Sequence, residues 1–425
     1  MTSLLRIQPP VFPVEKVVIP EAKSIRLRNG VPVYLIEAGT EEIMRIEFTF
    51  RAGQIMEHLP LLASTTNMML SEGSQKYKSE EINRLFDYYG VFFNLSAERD
   101  RAGVILYLLN KHVGKVLELS REMIFAPVFP EAELNSLMKK RLRWYLVNRE
   151  KVQNLASDNF MESVFGKNHP YGHQATEHDF EKMIPGILSD FHTEHYTPDN
   201  MAIIVSGKIH EDTAGLLDFY FGDINGKQIN VKDSAGLPEG EPIRKVHINK
   251  PGTVQSAIRI GSSTINKRHP DYPGLKILDT LLGGFFSSRL MKNIREDKGY
   301  TYGISSSVTS LDISGYKVIA TEVSKKNCRK TIDEIYREIR LLQTVPVEKV
   351  ELDIVRNYIS GEMIRMFDGP FSLAESFKST WEFGLDNNYY YRLAEKIKTI
   401  EPDEIIELAQ TYYNIDKLYE ITAGA

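Results

Sequence analysis

The chain repeats itself, and the repeat constrains the fold more than any other feature. Ile82–Phe93 (INRLFDYYGVFF) lies over Met291–Tyr302 (MKNIREDKGYTY), with Gly90 on Gly299. His195–Gly207 (HYTPDNMAIIVSG) lies over Thr411–Gly424 (TYYNIDKLYEITAG). Two matches at nearly constant offset imply two copies of one strand-and-helix unit of about 200 residues, an ordinary domain size. The 425 residues agree, since a chain of that length outgrows a single core.

Hydrophobic periodicity gives both copies a similar order. Strands are predicted at Val31–Ile36 and Ile46–Phe50, then a helix from Pro60 through Leu70 closed by Gly73, and another from Ser79 to Tyr89. Strands Phe92–Ala97 and Val104–Leu109 precede helices at Val113–Ile124, Glu131–Asn148 and Gln153–Phe165. A helix through Asp190–His195 leads into the strand Ala202–Val205. In the second copy, strand Ser256–Ile260 and helix Tyr272–Leu282 come before the strand Gly315–Val323. Helices Cys328–Gln343, Glu348–Phe367, Leu373–Phe383 and Asp403–Tyr412 follow, and Leu418–Ile421 is the last strand. Polar, glycine- and proline-containing Gly226–Pro242 lacks periodicity and reads as a linker. The predicted organisation is an extended arm over 1–24, a first domain over 25–225, the linker over 226–242 and a second domain over 243–425.

A net charge of −5 with no basic run argues against nucleic acid or an anionic membrane surface as partner. No apolar run is long enough to span a bilayer, and the first 20 residues lack a signal-peptide core. Cys328 is alone, which leaves no intrachain disulfide and no cysteine-based zinc site. A cytoplasmic location is the expectation, with a trimmed leader as the alternative left open.

Within the second copy, Ser287–Tyr302 (SSRLMKNIREDKGYTY) reads as a helix handing over to a strand. Arg289, Leu290, Ile294 and Arg295 follow a helical stripe, Gly299 suits the positive φ of a helix stop, and Tyr300, Tyr302 and Ile304 alternate. Arg295 and Tyr302 flank that turn and can reach one point, where a guanidinium and a phenol would form a donor pair for a carbonyl oxygen or oxyanion. The plainer reading is a surface arginine beside a half-buried tyrosine. In the first copy Phe86 and Phe93 take those places, so the polar pair is not demanded by the fold. Two histidine features invite a metal reading. His192 and His195 are spaced i, i+3 and read better as a solvated helix end, while Glu57-His58 lies in a loop ahead of Pro60.

The duplicated halves and the terminal R-E-x-x-G-x-x-Y turn resemble the insulinase/pitrilysin family of metallopeptidases, which includes the mitochondrial processing peptidases. Leu282–Leu290 (LGGFFSSRL), Asn168–Gly172 (NHPYG) and Tyr196–Met201 (YTPDNM) look like further family signatures, in the same order and over roughly residues 25–425. The resemblance implies an α+β fold of two homologous domains, each a mostly antiparallel sheet packed with helices, the processing-peptidase-like metallohydrolase fold. Active members carry His-x-x-Glu-His on a helix: histidines at i and i+4 bind Zn²⁺ and the glutamate takes a proton from the bound water. In this chain the matching positions are Ser64, Asn67 and Met68, and the third ligand would fall near Tyr145. A hydroxyl, an amide, a thioether and a phenol make a poor zinc site, so no metal is expected in this chain.

By the same resemblance, two-chain members pair a zinc-bearing subunit with a zinc-free one that lends an arginine and a tyrosine to its partner's site. Those residues are Arg295 and Tyr302 here, and zinc is expected in the partner. The expectation is a non-catalytic subunit of a heteromeric zinc peptidase, acting on an extended peptide beside a zinc-bearing paralogue. The alternatives are a structural or assembly protein of the same fold and, without the partner, a homodimer.

Overall fold

The computed structural model describes residues 19–226 and 236–425; residues 1–18 of the predicted arm and 227–235 of the predicted linker lie outside the described residues. The first half runs β1 (Lys23–Arg26), β2 (Pro32–Glu37), β3 (Ile43–Phe50), α1 (Leu62–Met69), α2 (Ser79–Tyr88), β4 (Phe92–Ala97) and β5 (Ala102–Leu109). Helices α3 (Val113–Phe125), α4 (Glu131–Asn148), α5 (Val152–Phe165), α6 (Glu177–Glu181) and α7 (Pro185–His195) lead to β6 (Met201–Gly207) and α8 (Thr213–Phe221). The second half runs β7 (Lys245–Asn249), β8 (Gln255–Thr264), α9 (Tyr272–Asp279), β9 (Thr301–Ser310), β10 (Gly315–Ser324), α10 (Cys328–Thr344) and α11 (Lys349–Met366). It ends with α12 (Pro370–Trp381), α13 (Asn388–Thr399), α14 (Pro402–Tyr412) and β11 (Tyr419–Gly424).

The duplication reappears in the sheets. The first has the order β1-β2-β6-β3-β5-β4 and the second β7-β11-β8-β10-β9. Leaving β1 aside, each begins with one parallel pair, β2 with β6 or β7 with β11, and continues antiparallel. The fold is thus α+β, with two mostly antiparallel sheets packed with helices. Both glycines of the sequence match are left-handed, Gly90 at φ 66° and Gly299 at φ 62°, and each ends a helical segment before an edge strand.

Central strands explain how the halves join. In β3, Met44, Ile46, Phe48 and Phe50 point into the first core, so Arg45 and Glu47 emerge on the opposite face; both are buried there. What covers them is α12 of the other half. Glu375, Lys378 and Glu382 recur at i, i+3 and i+7 along it: Arg45 Nη2 donates to Glu47 (2.6 Å) and Glu375 (2.5 Å), and Lys378 Nζ lies 2.6 Å from Glu47. The neighbouring stripe of α12, Ala374, Phe377 and Trp381, packs on Ile204 and Tyr34. The second sheet receives α5 of the first half in return. Phe160, Val164 and Phe165 pack with Tyr419 and Ile421, and Ala156 sits on Ala257 and Ala423. Gly261 has no room for a side chain, because a Cβ would meet Lys317 O at 1.9 Å and Phe160 at 3.0 Å.

A second junction forms at equivalent hairpin tips. Asp100, between β4 and β5, accepts from the Asp312 amide at 3.1 Å, and Asp312 lies between β9 and β10. The Tyr171 hydroxyl donates to Asp100 as well, and Arg51 lies 3.3 Å from Asp312.

Two predictions follow from these junctions. Arg45→Ala takes one of two cations from buried Glu47 and leaves Lys378 as its remaining partner, so it should cost up to about 3 kcal/mol in urea unfolding, the low end for breaking a buried pair. Burial, opposed by the Tyr171 hydrogen bond and reinforced by Asp312, raises the Asp100 carboxyl from 3.8 to about 6. Below about pH 4 the group is protonated in native and unfolded chains alike. Between about pH 4 and 6 the unfolded carboxyl ionises first, so native stability falls by roughly 2–3 kcal/mol and stays lower above that. Asp100→Asn should remove this slope: its urea midpoint should match wild type near pH 4 and exceed it increasingly up to pH 6.

Candidate functional site

The three motif positions lie on α1, a short helix whose buried side, Leu62, Ala63, Thr65, Thr66, Asn67 and Met69, anchors it to the first core. Ser64 is partly exposed and Met68 is 41% exposed, so the two positions that would carry histidines share the outward face. Asn67 is fully buried; its amide donates to Gly103 O at 3.2 Å and to the Tyr196 hydroxyl at 3.1 Å. An amide committed to a strand carbonyl and a tyrosine ties the helix to the sheet.

Tyr145, the expected stand-in for the third ligand, does not reach α1. Its hydroxyl donates to Ala175 O at 3.0 Å and its ring packs 5.3 Å from Phe180. Arg141, one turn earlier on α4, reaches α1 instead. Its guanidinium donates to Ser64 Oγ at 2.9 Å and Thr65 Oγ1 at 2.7 Å. Burial lowers its pKa and the Glu57 charge opposes that. A fixed cation therefore stands on the first motif position. Beside it opens a cleft of about 190 Å³ lined by Glu57, Ser64, Glu98 and His173. Glu57 accepts the Ala63 amide at 3.0 Å and meets His173 Nε2 at 2.9 Å. Spacing could not have revealed Arg141, Glu57 and His173 as neighbours, since they come from three distant segments.

These donors do not fit zinc. Ser64 already receives a hydrogen bond from a cation, Asn67 is engaged elsewhere, and Met68 offers a soft thioether alone. Among the described residues no group of three histidine, cysteine or carboxylate side chains is arranged to hold a metal. The His192/His195 pair differs from the expected solvated helix end. His195 is buried, and His192 sits 2.7 Å from Ile124 O. Burial pushes both imidazoles below their usual range, so they are neutral core side chains at the end of α7.

Arg295 and Tyr302 occupy the opposite kind of environment. Residues Met291–Asp297 wind as a π-helix rather than the expected α-helix, and the chain then reverses at Gly299 into β9, an edge strand. The Arg295 guanidinium carbon lies 5.8 Å from the Tyr302 ring centre and 4.6 Å from that of Phe286. Tyr302 is 94% exposed and Phe286 61% exposed. Among the described residues neither the Arg295 nor the Tyr302 side chain has a hydrogen-bond or ion-pair partner. The two thus face each other across the turn from π-helix to edge strand with their side-chain donors unspent. The equivalent residues of the first half, Phe86 and Phe93, also pack together, 4.9 Å between ring centres.

A duplicated α+β fold of two mostly antiparallel sheets, in which the donors of α1 do not fit zinc, defines the class as a metallopeptidase-type fold. The family description "Insulinase (Peptidase family M16)" matches residues 36–175, and "Peptidase M16 inactive domain" matches 185–359. The chain belongs to the M16, or insulinase, family. Among its relatives is the Bacillus subtilis "uncharacterized zinc protease YmxG", 23% identical over 80% of this chain and 83% of that protein. Another, from the same organism, is the "probable inactive metalloprotease YmfF", 20% identical over 61% of this chain and 62% of that one. A peptidase M16 inactive domain from Pseudomonas fluorescens superposes with a TM-score of 0.83 at 22% identity, covering 95% of this chain and 98% of the other. A Helicobacter pylori protease gives 0.86 at 15% identity, over 96% and 100%. At those identities the two structures speak to the fold alone.

The Arg141 geometry makes a specific prediction. Restoring ligands with Ser64→His, Asn67→Glu and Met68→His should not give stoichiometric zinc by metal analysis while Arg141 is present. A unit charge about 4 Å from the ion costs on the order of 4 kcal/mol or more at the dielectric of a partly buried site. Adding Arg141→Ala alone should raise zinc uptake; equal uptake with and without Arg141 would remove the guanidinium from the account.

Proposed function

We propose that this chain is the non-catalytic subunit of a heteromeric zinc peptidase, supplying Arg295 and Tyr302 to a site whose zinc a paralogous partner carries. The observation that carries the reading is a contrast. Ser64 and Asn67 are spent on a guanidinium and on internal hydrogen bonds, whereas Arg295 at the end of the π-helix and Tyr302 on the adjoining edge strand stand together without side-chain acceptors. In a zinc peptidase the metal-activated water attacks the scissile carbonyl, and negative charge grows on its oxygen. Donors already aimed there stabilise that charge at no reorganisation cost. The free edge of β9 also suits an extended peptide, because strand addition satisfies backbone groups on both sides.

Mixing the chain with a zinc-bearing paralogue and assaying an unstructured peptide tests this. Activity should appear only in the mixture, and Tyr302→Phe or Arg295→Ala should lower its turnover by about 10²–10³-fold, the usual effect of removing one oxyanion donor. Both side chains are on the surface, so the melting temperature should not move. Stable association without cleavage would make the chain a scaffold, and turnover within twofold of wild type in the variants would remove the catalytic role.

A further inference from the structure

Away from the features above, a cavity of about 380 Å³ opens at the end of the second sheet, where β8, β10 and the segment after α14 converge. Three cationic side chains line it, Arg244, Lys317 and Lys417, and no carboxylate does. In a chain of net charge −5 this is an unusual concentration of one sign. Lys317 forms the floor. It is only 2% exposed, and its ammonium donates to Ser262 Oγ at 2.6 Å rather than to a carboxylate.

The register explains why a lysine is buried there. Lys317 pairs with Ser262 across β10 and β8, and Ile319 and Val323 further along β10 fill the second core on the same face. The titratable groups that face the ammonium from within are Asp279 of α9 and Tyr413, whose ring centre is 5.3 Å away. Asp279 Oδ1 is taken by the Tyr413 hydroxyl at 3.2 Å and the Ser306 hydroxyl at 2.5 Å. Burial holds Lys317 near 7, with Asp279 opposing. Three cationic side chains are thus set against one buried acid, whose carboxyl burial itself pushes up.

Neutral donors complete the lining. Thr264 contributes a hydroxyl that is buried and has no partner, and the Asn414 side chain faces the same space while its oxygen accepts the Asp416 amide at 3.0 Å. An unspent buried hydroxyl is costly unless something occupies the cavity. Lysine offers a point charge, arginine a fork, and hydroxyls the remaining donors that a tetrahedral oxyanion accepts.

We propose that this cavity binds a phosphate group, as the free anion or as the monoester of a small molecule, with Lys317 at its base and Arg244 and Lys417 at its rim. The volume leaves room beyond the anion for a small organic group. The site is independent of the peptidase reading, since it shares no residue with Arg295, Tyr302 or α1.

Isothermal titration calorimetry at low ionic strength and pH 6.5 tests it with inorganic phosphate, phenyl phosphate and succinate. One equivalent of phosphate or phenyl phosphate should bind saturably, with succinate at least tenfold weaker; the tighter of the first two decides between free anion and monoester. The exposed rim variant Lys417→Gln should fold with an unchanged melting temperature and lose at least tenfold in affinity, ~1.4 kcal/mol; Arg244, which also stacks on Tyr419 and donates to Lys417 O, is left in place. Lys317→Met should abolish binding. Absence of saturable heat with either phosphate, succinate binding as tightly as phosphate, or an unaltered affinity in the rim variant would overturn the proposal.

Discussion

The structure depends on an exchange of helices. Each sheet buries one face under helices of its own half and the other under a helix borrowed from the opposite half, α12 on the first and α5 on the second. Two chemistries do this work. The α5 junction is close-packed and apolar, made possible by Ala156, Ala257, Ala423 and the absence of a side chain at Gly261. The α12 junction is partly ionic, and its buried charges gain little net stability, because desolvation consumes most of the attraction. Their value is specificity of placement: Arg45 and Glu47 are tolerable in the sheet only when Glu375 and Lys378 arrive in register. Neither half can therefore fold alone without exposing either an apolar face or a stranded charge.

That interlock frees the sites to diverge. Because the halves share topology, each offers the same helix-to-edge-strand turn, and the two copies use it oppositely. Phe86 and Phe93 close the first turn with apolar packing, whereas Arg295 and Tyr302 open the second to solvent. The backbone requirement is common, a left-handed glycine at 90 or 299, and it places no demand on the flanking side chains. A polar pair that stability does not require is where selection for binding can act, and this is the physical content of the contrast between the copies.

Much of the architecture was readable from the letters because the signals were local. The strand Phe92–Ala97, the helix Glu131–Asn148 and the glycine stops coincide with the observed elements. Helix α13 was missed, since its opening run of three tyrosines hides the stripe of Tyr389, Leu393 and Ile397. The edge strands β1 and β7 and the short α8 escape a reading of the sequence as well; the strands have four and five residues, and so few inward side chains make too short a pattern to read. At the site, the i, i+4 spacing puts Ser64 and Met68 on one face, while the resemblance puts the third motif position near Tyr145; that Arg141 is the residue of α4 in contact with Ser64 was not legible. One helical turn separates them, and α4 is too weakly patterned for sequence to fix which residue of a face meets its neighbour. Solvation of His192 and His195 was misjudged for a related reason. A helix C-terminus suits a cationic histidine, but α7 ends against α1 and the first core, so burial overrides the dipole.

The altered motif also changes what holds α1 in place. Where a helix presents two histidines and a glutamate to a dication, much of its positional energy comes from the ligand bonds, and stability becomes linked to metal supply. Here the same helix is fastened by neutral hydrogen bonds from Asn67 to Gly103 and Tyr196, and by the guanidinium bridge from Arg141 to Ser64 and Thr65. A covalently attached cation cannot dissociate, and it charges the site at every physiological pH. The order of the cleft wall is thus built into the polypeptide and needs no metal to maintain it. A chain so constructed keeps this helix and the cleft beside it in place through its own side chains.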